Sequence, residues 1–562
     1  MKNRFISWIV IFSIVFTSCK FHHEEYDTII RNGLLYDGNG GESFKADIGI
    51  KDDTIAFIGD LSKISARISV DAKGMAVAPG FINMLSWANE SLIEDGRSQS
   101  EIRQGVTLEV MGEGESMGPL NPRMKKQMQD GQVDIKYNVN WNTFDGYFNW
   151  IEKKGISCNV ASFVGATTIR NYVIGEDDQD PTPAELDSMK ALVASAMREG
   201  ALGVGSSLIY PPAFFAKTNE LIELCKEASK YGGMYISHMR NEGNQLFEAV
   251  RELITIAKEA NCPAEIYHFK AAGKDNWWKI DSLVKIVDSA RKAGLQITAD
   301  MYTYNASATG LTAAFPPSLQ DGGFDKLWKR LQDPAIREQM KKAMNSNPQG
   351  WENTYYGAGG ADGVLLLSFR VDSLRKYIGK TLAEVAKIRG KSPEETAMDL
   401  IVQDSTRIGV AYFSMDSNNV KKEMAIPWMS FCSDAESISP EGLFLKTNVH
   451  PRAYGSFIRV LGKYARDEKA LSLAEAVRKL SKLPATNLKL KKRGELKVGN
   501  YADIVIFDPA TVKDNATFAK PHQYATGVID VFVNGVQVIK DGEHTGKKPG
   551  RFLKGPGYVN TK

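Results

Sequence analysis

The stretch M-Y-I-S-H-M-R-N-E-G-N-Q-L-F-E-A-V-R-E-L-I-T-I-A-K-E-A-N-C-P-A-E-I-Y-H-F-K, residues 234–270, is where the fold can be read. Its ends, Met234–Met239 and Ala264–Lys270, are short, mostly apolar runs of strand character. Between them, Asn244–Ala260 repeats apolar residues at helical spacing. A strand, a helix and a strand in succession make a unit of a parallel sheet. Each strand closes near an isolated histidine, His238 and His268. The chain has only 7 histidines; His22 and His23 lie in a tail, and His522 and His544 in the last stretch. Only His450 accompanies the pair in the large central region.

The same rhythm extends in both directions. Further strand patterns are Ala78–Trp87, Thr107–Met111, Asn159–Gly165, Leu202–Leu208, Gln296–Tyr302 and Met429–Asp434. Helical patterns separate most of them: Thr182–Arg198, with Pro181 and Pro183 at its start, Asn219–Tyr231 and Trp277–Ala293. Eight strand–helix units predict an α/β fold closed as a TIM-like (β/α)8 barrel over residues 78–489, with its chemistry at the C-terminal ends of the strands. One segment, Asn305–Ile426, is far longer than a normal connection and falls between strands seven and eight. It has charge-rich helical segments (Phe324–Asn345, Leu382–Ile401) and a Gly-rich loop at Tyr356–Gly363. An insertion there is expected to act as a lid or specificity element.

Short strands with glycine turns fill Thr28–Val77 and recur near the end in A-D-I-V-I-F-D and V-I-D-V-F-V-N-G-V-Q-V-I-K-D-G. This pattern predicts a small β-sandwich domain built from both chain ends, residues 26–77 and 490–562. Before it, Met1–Arg4 carries two positive charges, Phe5–Phe16 is nearly all apolar, and Thr17-Ser18-Cys19 follows. Residues 1–19 read as a secretory signal with too short an apolar run to span a bilayer. The small residues before Cys19 resemble a bacterial lipobox. That resemblance implies cleavage there, lipidation of Cys19, and tethering to a bacterial membrane on its periplasmic or cell-surface side. The other cysteines, Cys158, Cys225, Cys262 and Cys432, contain no C-x-x-C, so no cysteine zinc site is expected. A chain of 562 residues with 43% apolar and 24% charged residues is an ordinary globular composition, and a net charge of +3 implies no broad nucleic-acid surface.

Two imidazoles on neighbouring strands suit one divalent ion, zinc first, provided a third ligand and an open position exist. Glu113 in M-G-E-G-E-S-M-G-P is the best third ligand, because glycines on both sides let its backbone approach closely; Glu115 is the alternative. Asp434 in F-C-S-D ends an apolar strand, where a carboxylate can take a proton from water and pass it to a leaving amine. Lys270, two residues beyond His268 on the same strand face, and Arg452 in H-P-R-A-Y-G could grip a substrate carboxylate. Tyr302 and Tyr210 could add hydroxyl donors.

The chain resembles the D-aminoacylase (N-acyl-D-amino-acid deacylase) branch of the amidohydrolase superfamily. The stretches that carry the likeness include A-P-G-F-I-N, G-A-L-G-V-G-S-S-L-I-Y-P-P, Y-I-S-H-M-R-N-E-G, I-Y-H-F-K-A-A-G, T-A-D-M-Y-T-Y-N-A-S, C-S-D and H-P-R-A-Y-G-S-F-I-R-V-L-G. They keep the family's order from about Arg31 to about Asp541. The resemblance implies a metal-bearing barrel that hydrolyses the amide of N-acyl-D-amino acids. It implies metal ligation by His238 and His268, catalysis by Asp434, and substrate binding by Lys270 and Arg452. Two departures stand out. Leu85 and Trp87 occupy the places of the family's H-x-H pair, and neither side chain can bind zinc. The loop G-E-G-E-S puts Glu113 where the family has a metal-binding cysteine. One three-ligand site is therefore expected, not two. The alternatives are another amidohydrolase reaction, on a cyclic amide or a D-aminoacyl peptide, and a metal-poor inactive binding protein.

Overall fold

The computed structural model describes residues 25–348 and 350–560. The expected signal segment, Cys19 included, lies outside the described residues.

Eight short parallel strands form a ring. They are β1 (Phe81–Asn83), β2 (Val106–Met111), β3 (Asn159–Ser162, resuming as Val164–Gly165), β4 (Gly203–Ser207), β5 (Met234–His238), β6 (Ala264–Ile266), β7 (Ile297–Met301) and β8 (Met429–Phe431). Parallel ladders join β1 to β2 to β3, and the second part of β3 through β4, β5, β6 and β7 to β8. Within the third strand, the Phe163 N–H donates to Met111 O at 2.9 Å. The ring closes where the Asp434 N–H reaches Leu85 O at 2.9 Å and Ser86 bridges Ala435.

The helices outside the ring follow from their apolar stripes. Leu246–Ala260 buries Leu246, Ala249, Val250, Leu253, Ile256, Ala257 and Ala260, one face of a 3.6-residue repeat. Asn261 then ends it in the left-handed conformation (φ 48°). Pro183–Glu199 starts with a capping box, in which Thr182 and Glu185 each satisfy the other's backbone N–H.

Both chain ends enter one nine-stranded sheet. Ala76–Pro79 pairs in parallel with Tyr26–Leu35 and antiparallel with Ile504–Phe507. Residues 305–426 have a core of their own, including Leu311, Phe315, Leu327, Met340 and Leu400. They also carry a three-stranded antiparallel sheet of Ser307–Gly310, Gly409–Tyr412 and Val364–Leu366. That sheet was not foreseen, because its strands have no more than four residues each and carry little periodic signal.

Three expected strands are too long. The run Ala78–Trp87 divides between the terminal sheet and β1. Ala264–Lys270 stops at Ile266, and Met429–Asp434 stops at Phe431. Beyond those ends His268 (φ 35°) and Asp434 (φ 49°) turn into the left-handed region, which no strand ladder accommodates. Lys270 therefore does not share a strand face with His268, as alternation had suggested. The cysteines Cys158, Cys225, Cys262 and Cys432 are all buried and free.

Candidate metal centre

Glu113 follows β2 on a turn that only glycines permit. Gly112 (φ 103°) and Gly114 (φ 70°) flank it. A Cβ on Gly112 would lie 2.3 Å from Phe163 O, and one on Gly114 2.3 Å from Ser207 Oγ. This close approach carries the Glu113 carboxylate under the mouth of the ring, where it meets the last residue of β5 and the turn after β6. Its Oε1 is 3.0 Å from His238 Nδ1 and 3.2 Å from His268 Nε2. All three side chains are buried, and their ligand atoms lie within 4.8 Å of one another. Glu115 points elsewhere: it is exposed to the cavity and is not one of the convergent group.

The donor set fits a zinc-like ion. Tetrahedral bonds of roughly 2.0–2.1 Å separate ligand atoms by about 3.3 Å, close to the two spacings seen. Burial works against the Glu113 charge, yet hydrogen bonds from both imidazoles hold that carboxyl well below the usual range.

A second acid, Glu242, was not anticipated. Its Oε1 lies 3.0 Å from His268 Nδ1 and 2.7 Å from Lys270 Nζ, and its Oε2 lies 3.7 Å from His238 Nε2. One buried carboxylate thus hydrogen-bonds His268, the arrangement that orients a metal-ligating imidazole, and stands within ion-pair distance of His238. Burial opposes its charge, but Lys270 and the two histidines hold its carboxyl far below the ordinary value. Burial and the Lys270 charge act against a proton on His268, and Glu242 and Glu113 overcome them, raising it to about 10 with no ion bound. A clue was present in the sequence, since Glu242 stands four residues after His238, but spacing alone could not aim it across two strands.

Lys270 is buried, and its ammonium faces Glu242 Oε1, His268 Nδ1 at 2.6 Å and His268 O at 3.0 Å. Glu242 Oε1 and His268 O accept two of its three N–H donors. Arg452 differs. Its Nη1 sits 2.7 Å from Asp434 Oδ2, but Nη1 and Nε are buried without an aligned acceptor. The Arg452 guanidinium lies 4.5 Å from the centre of the Tyr302 ring, and the Tyr302 hydroxyl reaches Met415 Sδ at 3.5 Å. Tyr210 packs edge-on to His238 at 5.3 Å, with the Arg407 guanidinium over its other side at 5.0 Å.

Asp434 completes the group. Trp87 Nε1 donates to its Oδ1 at 3.0 Å. Burial raises its carboxyl above the usual value, with Arg452 opposing. His450 is structural: Nε2 donates to Ala306 O and Nδ1 accepts the Arg452 backbone N–H, both at 3.0 Å. Burial and the Arg452 charge keep it neutral. Glu113, His238, His268, Lys270, Tyr302, Tyr210, Asp434 and Arg452 all line one cavity of about 1730 Å³, roofed by insertion residues such as Glu352, Tyr355 and Arg407.

Residues 69–539 match the amidohydrolase family. The D-aminoacylase of Alcaligenes xylosoxydans xylosoxydans is 32% identical over 539 residues, covering 94% of this chain and 98% of that protein. A crystal structure of a D-aminoacylase superposes with a TM-score of 0.77 at 32% identity, covering 94% of this chain and all of that one. The N-acyl-D-glutamate deacylase of Bordetella bronchiseptica, solved with zinc and a phosphonate mimic of the reaction's tetrahedral intermediate, gives 0.76 at 28% identity, with 94% and 100% covered. With its closed barrel, terminal sheet and buried two-histidine centre, the chain belongs to the amidohydrolase family, in its D-aminoacylase branch.

Proposed function

We propose that this protein hydrolyses the amide bond of N-acyl-D-amino acids, using one divalent ion, zinc first, held by Glu113, His238 and His268. The observation that carries this is the meeting of three ligand atoms beside Asp434 and an underused guanidinium in one cavity. When bound, the ion supplies Lewis acidity toward the acyl oxygen and makes water a better acid. Asp434 takes a proton from the attacking water as its oxygen bonds to the acyl carbon. It returns that proton to the amide nitrogen as the C–N bond breaks, releasing a carboxylic acid and a D-amino acid. Its burial suits a base, because a raised carboxyl holds a proton longer.

Arg452 pairs with Asp434 through Nη1 and has Nε without an acceptor, so its guanidinium can hold the substrate α-carboxylate and fix the amide over Asp434. Lys270 lines the same cavity: with the His268 Nδ1 proton on Glu242, its ammonium keeps Glu242 Oε1 and His268 O as acceptors and has a third N–H for the substrate. Tyr302 and Tyr210 wall the same space. The cavity exceeds the roughly 300–1,000 Å³ of ordinary small-ligand pockets, so it has room for acyl groups longer than acetyl.

Release of acid and free amino acid from matched N-acyl-D- and N-acyl-L-amino acids, with dipeptides and hydantoins alongside, tests the proposal. Turnover of the D series by protein holding about one equivalent of metal supports it; no turnover by metal-loaded protein across the panel refutes it. We also propose export and lipid anchoring through Cys19, which rest on the sequence of residues 1–19. Cys19→Ala should move the protein out of the membrane fraction.

A further inference from the structure

We infer that Trp87 is a positioning residue for the reaction, its indole N–H setting the orientation of the Asp434 carboxylate. The inference rests on the proposed role of Asp434 and adds a residue to it.

Trp87 is half-buried at the cavity wall, just past β1. It grips the Asp434 turn twice: its backbone N–H donates to Ala435 O at 2.9 Å, and its indole N–H donates to Asp434 Oδ1 at 3.0 Å. The backbone of Asp434 is in turn tied to Leu85 O at 2.9 Å. These bonds hold a left-handed aspartate at the seam where the barrel closes. Among the described residues, the indole gives the Asp434 carboxylate its only aligned hydrogen bond. Arg452, at 2.7 Å from Oδ2, supplies charge without donor alignment. Charge and direction are therefore divided between two residues.

The choice of side chain suits a carboxylate that gains and loses a proton. An indole N–H is a donor with no acceptor capacity, no charge and no accessible titration. It can stay on Oδ1 while the other oxygen is protonated or bare. A histidine in its place would titrate and could itself bind metal. Trp87 does neither.

The test is Trp87→Phe, which keeps a ring and removes the donor. A hydrogen bond to a charged acceptor predicts a loss of about 10- to 100-fold in kcat, with KM within about twofold. In an Asp434→Asn background the same change should alter kcat by less than about twofold, because the group being oriented is gone. An unchanged kcat, a loss confined to KM, or an equal loss in both backgrounds overturns the inference. A readout independent of turnover is the indole ¹⁵N–¹H signal of Trp87, identified among the nine tryptophans by its disappearance in Trp87→Phe. Asp434→Asn should shift that signal; an unmoved signal overturns the inference even if the deacylase proposal stands. If the parent turns over no substrate, the proposed function fails, and the signal alone decides whether Trp87 holds Asp434.

Discussion

Replacing Glu242 separates the ion-pair and metal-site roles of one buried carboxylate. Glu242 Oε1 is 2.7 Å from Lys270 Nζ and 3.0 Å from His268 Nδ1, and both Glu242 and Lys270 are almost fully buried. In Glu242→Ala the Lys270 ammonium loses its only counter-charge within ion-pair distance among the described residues. Removing one partner of a buried pair typically costs about 3–5 kcal/mol, because the surviving charge stays desolvated. The same substitution removes the acceptor behind His268 and the negative charge nearest His238 Nε2, which predicts a metal affinity weaker by about 10- to 100-fold, or about 1.4–2.7 kcal/mol. The two losses part in Glu242→Ala/Lys270→Met. There the orphaned ammonium is gone, so most of the lost stability returns, while the metal affinity stays low. Denaturant unfolding of metal-stripped protein reads the first effect, and zinc titration against a competing chelator reads the second. Metal affinity within about twofold of the parent would refute the role assigned to Glu242. A double variant no more stable than Glu242→Ala would refute the orphaned-charge account of its cost.

Other perturbations test neighbouring parts of the site. Asp434→Asn should keep its metal and lose about 10²- to 10⁴-fold in kcat, checked by metal analysis beside steady-state rates. Arg452→Met should lower kcat/KM at least about tenfold, mainly through KM, on any substrate with a free α-carboxylate; the KM part of the loss should vanish on the corresponding amide, leaving the effect of the lost Asp434 contact. Glu423 is buried with Oε2 unpartnered, and burial pushes its carboxyl up to about 8. A folded value raised above the unfolded one gives stability that is fully present below about 4.5 and lost as pH rises through about 8. Glu423→Gln should therefore gain on the parent by about 1–3 kcal/mol between pH 5 and pH 9, measured by denaturant unfolding at both.

Local pattern in the sequence was enough for the alternation of strands and helices, for the terminal strands, and for the two histidines at adjacent strand ends. Periodicity decides which face a residue presents, and that information is contained within ten or so neighbouring positions. The glycines around Glu113 were also legible, since a residue that must pass close to backbone leaves a mark on its neighbours.

Closure of the barrel decided the rest. Trp87, Glu113, Glu242, His268 and Asp434 are brought together only when β1 meets β8, and no local pattern aims a side chain across that seam. The left-handed turns at His268 and Asp434 overrode strand alternation and sent Lys270 to Glu242. The choice of Glu113 over Glu115 likewise depended on where two imidazoles from other strands already pointed. Composition and spacing determined which chemistry was available to this chain; the three-dimensional path of its backbone decided which groups share one small volume, because distances of a few ångströms between remote residues are set by packing and not by sequence order.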